Sequence, residues 1–254
     1  MDPVIVLASN NAGKLTELRA ILTEAIPSLA PEQIVDAATV NAPDVVEDGV
    51  TFEANALKKA TQTAQATGLI AVADDSGLAV DVMHGAPGIF SARWAGKHGD
   101  DQANMDLLLA QLSDIDAAHR GAAFVCAAAF ATPDGTTRHV EIGKLTGDLT
   151  FEPRGEHGFG YDPIVEIPDL GKTAAELDPE TKNAISHRGK AFRALAPILA
   201  GVLVTVATYL IMSKSVLRVI LATAIYSHAA HLLLMTMGGL KLGDVPILRD
   251  GEVG

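Results

Sequence analysis

Leu69-Ile70-Ala71-Val72-Ala73-Asp74-Asp75-Ser76-Gly77 is the stretch on which the fold class turns. Five apolar residues in a row read as a buried strand, and Asp74-Asp75-Ser76-Gly77 close it with two carboxylates at its carboxyl end. The segment before it, Phe52–Thr67, predicts a helix with Ala56, Ala60 and Ala64 on one face and Lys58 and Lys59 off it. Outward toward the N-terminus, Pro3–Ala8 reads as a second buried strand. Leu15, Leu18, Ile21 and Leu22 then recur at helical spacing, predicting a helix over Gly13–Ala25. In the other direction, Gln102–Leu112, Thr173–Leu177 and Ala184–Leu199 read as helices, with Ser186-His187-Arg188 near the start of the last. Ala122–Ala131 and Thr136–Gly143, joined by Pro133-Asp134-Gly135, read as a β-hairpin. Helices alternate with strands while a hairpin intrudes, so the class is α/β with a mixed sheet.

The 254 residues suffice for one large domain or two small ones. Only four basic residues (Lys214, Arg218, Lys241, Arg249) and three acidic ones (Asp244, Asp250, Glu252) lie beyond Ala196. Of the chain's 19 basic and 31 acidic residues, 15 and 28 therefore precede it, a net charge of −13. An acidic front half excludes wrapping a nucleic-acid backbone, which needs a basic face. It leaves a nucleotide open, because a small anion is met by local cations and a metal. The lone Cys126 sits in an apolar run, so it reads as a buried, inert thiol in a reducing cytosol. The opening MDPVIVLASNN has no basic leader and reads as a first strand rather than a signal peptide.

Four stretches hold groups that could do chemistry. Ser9-Asn10-Asn11-Ala12-Gly13-Lys14 lies between a strand and a helix, where small residues, helix-start amides and a lysine suit phosphate. It is not a P-loop, which needs glycine where Ala8 stands and Ser or Thr where Leu15 stands. Asp74 and Asp75 repel each other unless a cation sits near them, and magnesium takes one or two such carboxylates; the same residues would also serve as a surface turn. Glu47-Asp48 is a second acidic pair, a solvated loop unless it meets Asp75 in space. Gly155–Pro163 gathers His157, Phe159 and Tyr161 among glycines in a chain that is only 4% aromatic. Phe159 or Tyr161 could stack on a base and Asp162 could accept from a purine N–H, or the loop could simply anchor its aromatics in the core.

Taken together, Ser9–Lys14, Thr51–Ala56, Ala73–Val82, Gly85–Arg93, Gly158–Pro163, Gly171–Leu177 and Ile185–Gly189 resemble the inosine/xanthosine triphosphate pyrophosphatase family, in register over residues 1–196. The resemblance implies an elongated two-lobed α/β fold around a long mixed sheet, a cleft active site, a cytoplasmic homodimer, and magnesium-dependent release of pyrophosphate from ITP, dITP and XTP. It implies that Ser9, Asn10, Asn11, Ala12, Gly13 and Lys14 hold the triphosphate, and that Glu47 and Asp75 bind Mg²⁺, with Asp75 also the general base. By the same resemblance Ser76 touches substrate, Phe159, Gly160, Tyr161 and Asp162 form the base pocket, and Lys182, His187 and Arg188 complete the site. Asp48 stands where a second glutamate is common in the family.

Residues 197–254 differ in kind. Leu195–Met212 and Val219–Leu240 carry no charge, and each is about long enough to span a membrane as half of a helical hairpin. Tyr209–Leu248 resembles a small membrane component of the multisubunit sodium/proton antiporters, a family with three transmembrane helices where only two fit here. Lys214 and Arg218 between the runs favour a cytoplasmic link, which would carry the front domain to the wrong side. The reading is an enzyme in 1–196 with a tail that does not insert as an antiporter pair, any membrane association running through 197–254; the alternative is a membrane-embedded antiporter component with a fused enzyme.

Overall fold

The structure is a computed structural model and describes residues 3–9, 12–26 and 29–212. Its elements are β1 (Ile5–Leu7), α1 (Ala12–Ala25), β2 (Ile34–Asp36), α2 (Phe52–Thr67), β3 (Ile70–Val80), α3 (Asp101–Gln111), β4 (Gly121–Ala131), β5 (Arg138–Leu149), β6 (Val165–Ile167), β7 (Lys172–Thr173), α4 (Pro179–Ile185) and α5 (His187–Met212). The strands form one seven-stranded mixed sheet in the order β2-β1-β3-β4-β5-β6-β7. β2, β1 and β3 are parallel, and every neighbour from β3 onward is antiparallel. The expected α/β class and hairpin hold, with β5 longer than the stretch read from sequence.

Alternation along β4 builds the core on both faces of the sheet. Cys126, Ala128 and Phe130 join Ile5, Leu7, Leu18, Leu22, Phe192 and Leu195 under α1 and α5. Ala127, Ala129 and Ala131 join Ala71 and Ala73 under Ala56, Ala60 and Ala64 of α2. A separate cluster around Leu78, Leu108, Phe124, Tyr161 and Ile164 fills the far end. Two cores along one long sheet give the two lobes.

The interface beneath α2 is alanine against alanine, with Ala56, Ala60 and Ala64 all fully buried. Small side chains let the helix sit close to the sheet, and Thr51 fixes its start by accepting the Ala54 amide at 3.1 Å. Gly143 does the same service on the other face, since a Cβ there would strike the His187 carbonyl and come within 2.5 Å of the Ala191 nitrogen at the start of α5.

Three expectations need correction. Thr173–Leu177 is not a helix: Thr173 ends β7, and the amides of Ala174 and Ala175 donate to Val165 and Asp162 instead of back along a helical turn. Ala184–Leu199 is not continuous either. Ser186 takes an extended conformation (ψ 148°) after α4, and its hydroxyl accepts the Gly189 amide at 2.8 Å to open α5. The first apolar run of the tail, Leu195–Met212, is the second half of α5, crossing Pro197 without a break. His187–Val206 is long and apolar enough to span a membrane, yet Leu195, Leu199 and Leu203 are buried against the sheet. The second run, Val219–Leu240, lies outside the described residues.

Filling the alanine interface tests its role. Ala60→Leu is expected to destabilise the chain by about 1–3 kcal/mol through overpacking, read from the midpoint of urea unfolding; an unchanged midpoint would show slack between α2 and the sheet.

Candidate active site

β1 ends at Leu7 opposite Val72, while β3 runs eight residues further with β4 as its strand partner. One edge of Asp74–Gly77 is therefore left open, and the carboxylates sit in mid-strand rather than at a carboxyl end as sequence suggested. Side chains take the exposed amides: Asp75 Oδ1 accepts from Ser76 N at 2.9 Å, and Ser91 Oγ accepts from Leu78 N at 2.9 Å. Gly77 has no room for a Cβ, which would meet Ser91 Oγ and lie 2.6 Å from the Gly88 carbonyl.

Successive strand residues point to opposite faces, and this separates the two carboxylates. Asp75 accepts from Asn55 Nδ2 of α2 at 2.9 Å, and Asn55 Oδ1 accepts the Gly49 amide at 2.7 Å. Asp74 turns to α5, where Arg188 Nε lies 3.4 Å away in a pair whose side chains are 3% and 1% exposed. Ser76 lies between them, its hydroxyl 3.5 Å from Asp74 and accepting from Arg188 Nη2 at 3.3 Å. The mutual repulsion read from the sequence is thus answered by different partners for each acid.

Lys59 of α2 supplies the nearby cation that the acidic pair requires. Its Nζ lies 2.7 Å from Glu47 Oε1. Burial pushes the ammonium's pKa down, but Asp74, Glu47 and Asp75 outweigh it and hold it above the ordinary lysine value, so Lys59 is charged at neutral pH. The second acidic pair splits: Glu47 turns inward to Lys59, and Asp48 pairs with Lys58 outside. Among the described residues no three His, Cys, Asp or Glu gather as a metal cluster. Glu47 and Asp75 face a common cation, and two carboxylates completed by substrate phosphates are a donor set that magnesium ordinarily accepts.

Opposite this acidic end lies the aromatic loop. Its two aromatics divide between the alternatives left open by the sequence: Phe159 is 49% exposed and Tyr161 only 5%. Lys182 Nζ and Arg188 Cζ stand 5.4 and 5.8 Å from the Phe159 ring centroid. Tyr161 is a core anchor, with its hydroxyl donating to the Ser91 carbonyl at 2.9 Å. Burial, and then the Asp101 carboxylate, raise its pKa. Asp162 Oδ2 already accepts from Phe159 N at 2.8 Å and Lys182 Nζ at 2.7 Å, so it shapes the loop besides facing the cleft. His187 stacks on Phe124, centroids 5.1 Å apart.

All of these groups line one cleft of about 980 Å³. It gathers Ser9, Glu47, Asp75, Ser76, Phe159, Gly160, Tyr161, Asp162, Lys182, His187 and Arg188. Asn10 and Asn11 lie outside the described residues, and Ala12, Gly13 and Lys14 open α1 as helix backbone. Sequence reading missed Asn55, Lys59, Ser91 and Asp101. The spacing of Asn55 and Lys59 along α2 puts them on one face, a signal that the alanine stripe obscured.

Residues 5–198 match the model of the Ham1 family. The chain belongs to that family. Its relatives include a dITP/XTP pyrophosphatase of Streptomyces avermitilis, 62% identical over 195 residues, covering 77% of this chain and 96% of the relative. One of Streptomyces coelicolor is 63% identical over 196 residues with the same coverage. The Ham1 protein of Coxiella burnetii superposes with a TM-score of 0.70 at 41% identity, covering 78% of this chain and 99% of that one. These Ham1 matches stop near residue 198 and leave the tail without a counterpart in them.

The Asp74–Arg188 pair yields a double-mutant test. Arg188→Ala is expected to destabilise the fold by up to about 3–5 kcal/mol, the penalty for stranding a buried charge. Adding Asp74→Asn should recover part of the loss in a double-mutant cycle of unfolding energies; strict additivity would show that the pair does not interact.

Proposed function

We propose that the chain hydrolyses the deaminated purine triphosphates ITP, dITP and XTP to monophosphate and pyrophosphate. The observation that carries this is the cleft itself: Asp75 and Glu47 face Lys59 at one end and a cation-flanked Phe159 stands at the other. The high identity to two dITP/XTP pyrophosphatases supports the same reading.

Glu47 and Asp75 would hold Mg²⁺, which when bound supplies positive charge to the phosphates. The remaining work falls to side chains and backbone. Asp75, oriented by Asn55 and by the Ser76 amide, takes the proton of the water that attacks the α-phosphorus. Ser9 and the first turn of α1, with Lys14, receive the triphosphate at amides and a positive helix end. Phe159 offers its exposed face to the base. Lys182, His187 and Arg188 present donors to a 6-oxo group; adenine's amine cannot accept them, and leaving buried donors unpaired penalises the wrong base.

The family resemblance also supports a cytoplasmic homodimer. The tail is best read as an attachment that does not insert as an antiporter helix pair, because the first apolar run is already committed to the core. Alkali extraction of membranes, with an export-dependent reporter fused to Gly254, tests it: the chain should be released and the reporter silent. An alkali-resistant chain with an active reporter would reverse this reading.

Full-length protein given ITP and Mg²⁺ is expected to yield IMP and pyrophosphate, with ATP turned over far more slowly. Asp75→Asn should lose at least about 100-fold in kcat, the usual worth of a positioned base. Orthophosphate as the product, or an active Asp75→Asn, would sink the assignment.

A further inference from the structure

The loop that carries Phe159 is fastened by groups from three separate elements. Asp162 Oδ2 accepts the Phe159 amide at 2.8 Å, and Asp101 Oδ2 accepts the next amide, that of Gly160, at 2.8 Å. Two successive peptide N–H groups are thus clamped by two carboxylates distant in sequence, which fixes the backbone on both sides of the Phe159 α-carbon. Gly160 has φ 62°, a left-handed turn natural to glycine, although a Cβ there would meet nothing within 4 Å. The third fastening is Tyr161, whose hydroxyl donates to the Ser91 carbonyl at 2.9 Å. Ser91 Oγ in turn accepts from Leu78 N, two residues beyond Ser76 on the strand that carries Asp75.

Asp101 stands on a rigid support. It is the first residue of α3, and the carbonyl of Leu112 just past the other end accepts from Arg120 Nη1 at 2.6 Å. That guanidinium is buried and also donates to the carbonyls of Leu149 and Thr150. The bland role for an acid in this place, capping the helix, belongs to its neighbour: Asp100 Oδ1 accepts from Ala103 N at 3.3 Å. The Asp101 carboxylate instead reaches across 59 residues of sequence to Gly160.

We propose that Asp101 is a positioning residue for base recognition, which together with Tyr161 holds Phe159 at the distance and tilt that a purine needs. It acts through the Gly160 amide. The proposal rests on the loop receiving the base, and the test separates the two ideas.

Full-length wild type, Asp101→Ala, Asp101→Asn, Tyr161→Phe and Phe159→Ala are compared for kcat and KM on ITP and ATP, for inhibition by inorganic tripolyphosphate, and for melting temperature. A displaced ring loses binding of the base and leaves the phosphate end alone. Asp101→Ala should therefore raise the KM for ITP about tenfold or more, since misplacement by an ångström can cost about a hundredfold, and lower the preference for ITP over ATP. Its kcat, its tripolyphosphate inhibition and its melting temperature should stay near wild type. Asp101→Asn keeps an oxygen acceptor for Gly160 and should restore the KM, and Tyr161→Phe should shift KM in the same direction as Asp101→Ala. A wild-type KM in Asp101→Ala, an Asn variant as impaired as Ala, or tripolyphosphate inhibition weakened in parallel would each overturn the proposal. If Phe159→Ala leaves the preference for ITP intact, the loop does not receive the base, and the reading beneath the proposal falls with it.

Discussion

Everything at the catalytic end depends on a mismatch of strand lengths. β1 supports β3 for three residue pairs and then stops, whereas β4 supports it for ten. A strand paired on one edge only would leave polar backbone groups exposed. Here the amides on that edge go to Asp75 and Ser91. The open edge is at once the floor of the cleft and the reason that a carboxylate, a hydroxyl and a glycine stand in the middle of a long buried strand.

The second requirement is closeness. Asn55 reaches Asp75, and Lys59 reaches Glu47, because α2 lies on alanines. A bulkier interface would lift the helix and lengthen both contacts. The other face has a different solution, in which Gly143 admits the start of α5 and Arg188 descends to Asp74. Two helices from opposite faces thus bring charge to neighbouring residues of one strand, and period-two alternation lets adjacent acids keep separate company.

Much of this was legible in the residues. Apolar runs and helical spacing located β1, α1, α2, α3 and the β4–β5 hairpin, and the motif residues with described side chains converge on one cleft. The failures share a cause: the deciding contact lay far away in sequence. Nothing near Thr173 shows that the following amides are taken by Val165 and Asp162. Nothing in Asp74-Asp75 tells which acid faces α2 and which faces Arg188. Tyr161 and Phe159 look alike in the loop, and only the carbonyl of Ser91 makes one an anchor. Ser186 was the exception, a hydroxyl three residues before Gly189 whose capping role local pattern could have suggested. The tail boundary at 196–197 followed composition, which changes there, but hydrogen bonding continues through it.

That continuity gives α5 a mechanical character. From Ala196 to Met212 the helix advances sixteen residues, about 24 Å at 1.5 Å per residue. Its root is clamped by Leu195, Leu199 and Leu203. Such a rod transmits direction as well as distance: each residue added or removed within it swings the far end by about 100° around the axis. Whatever is joined after Met212 is therefore aimed by the catalytic unit's own core, and a deletion of one residue within the rod would re-aim it while sparing the cleft.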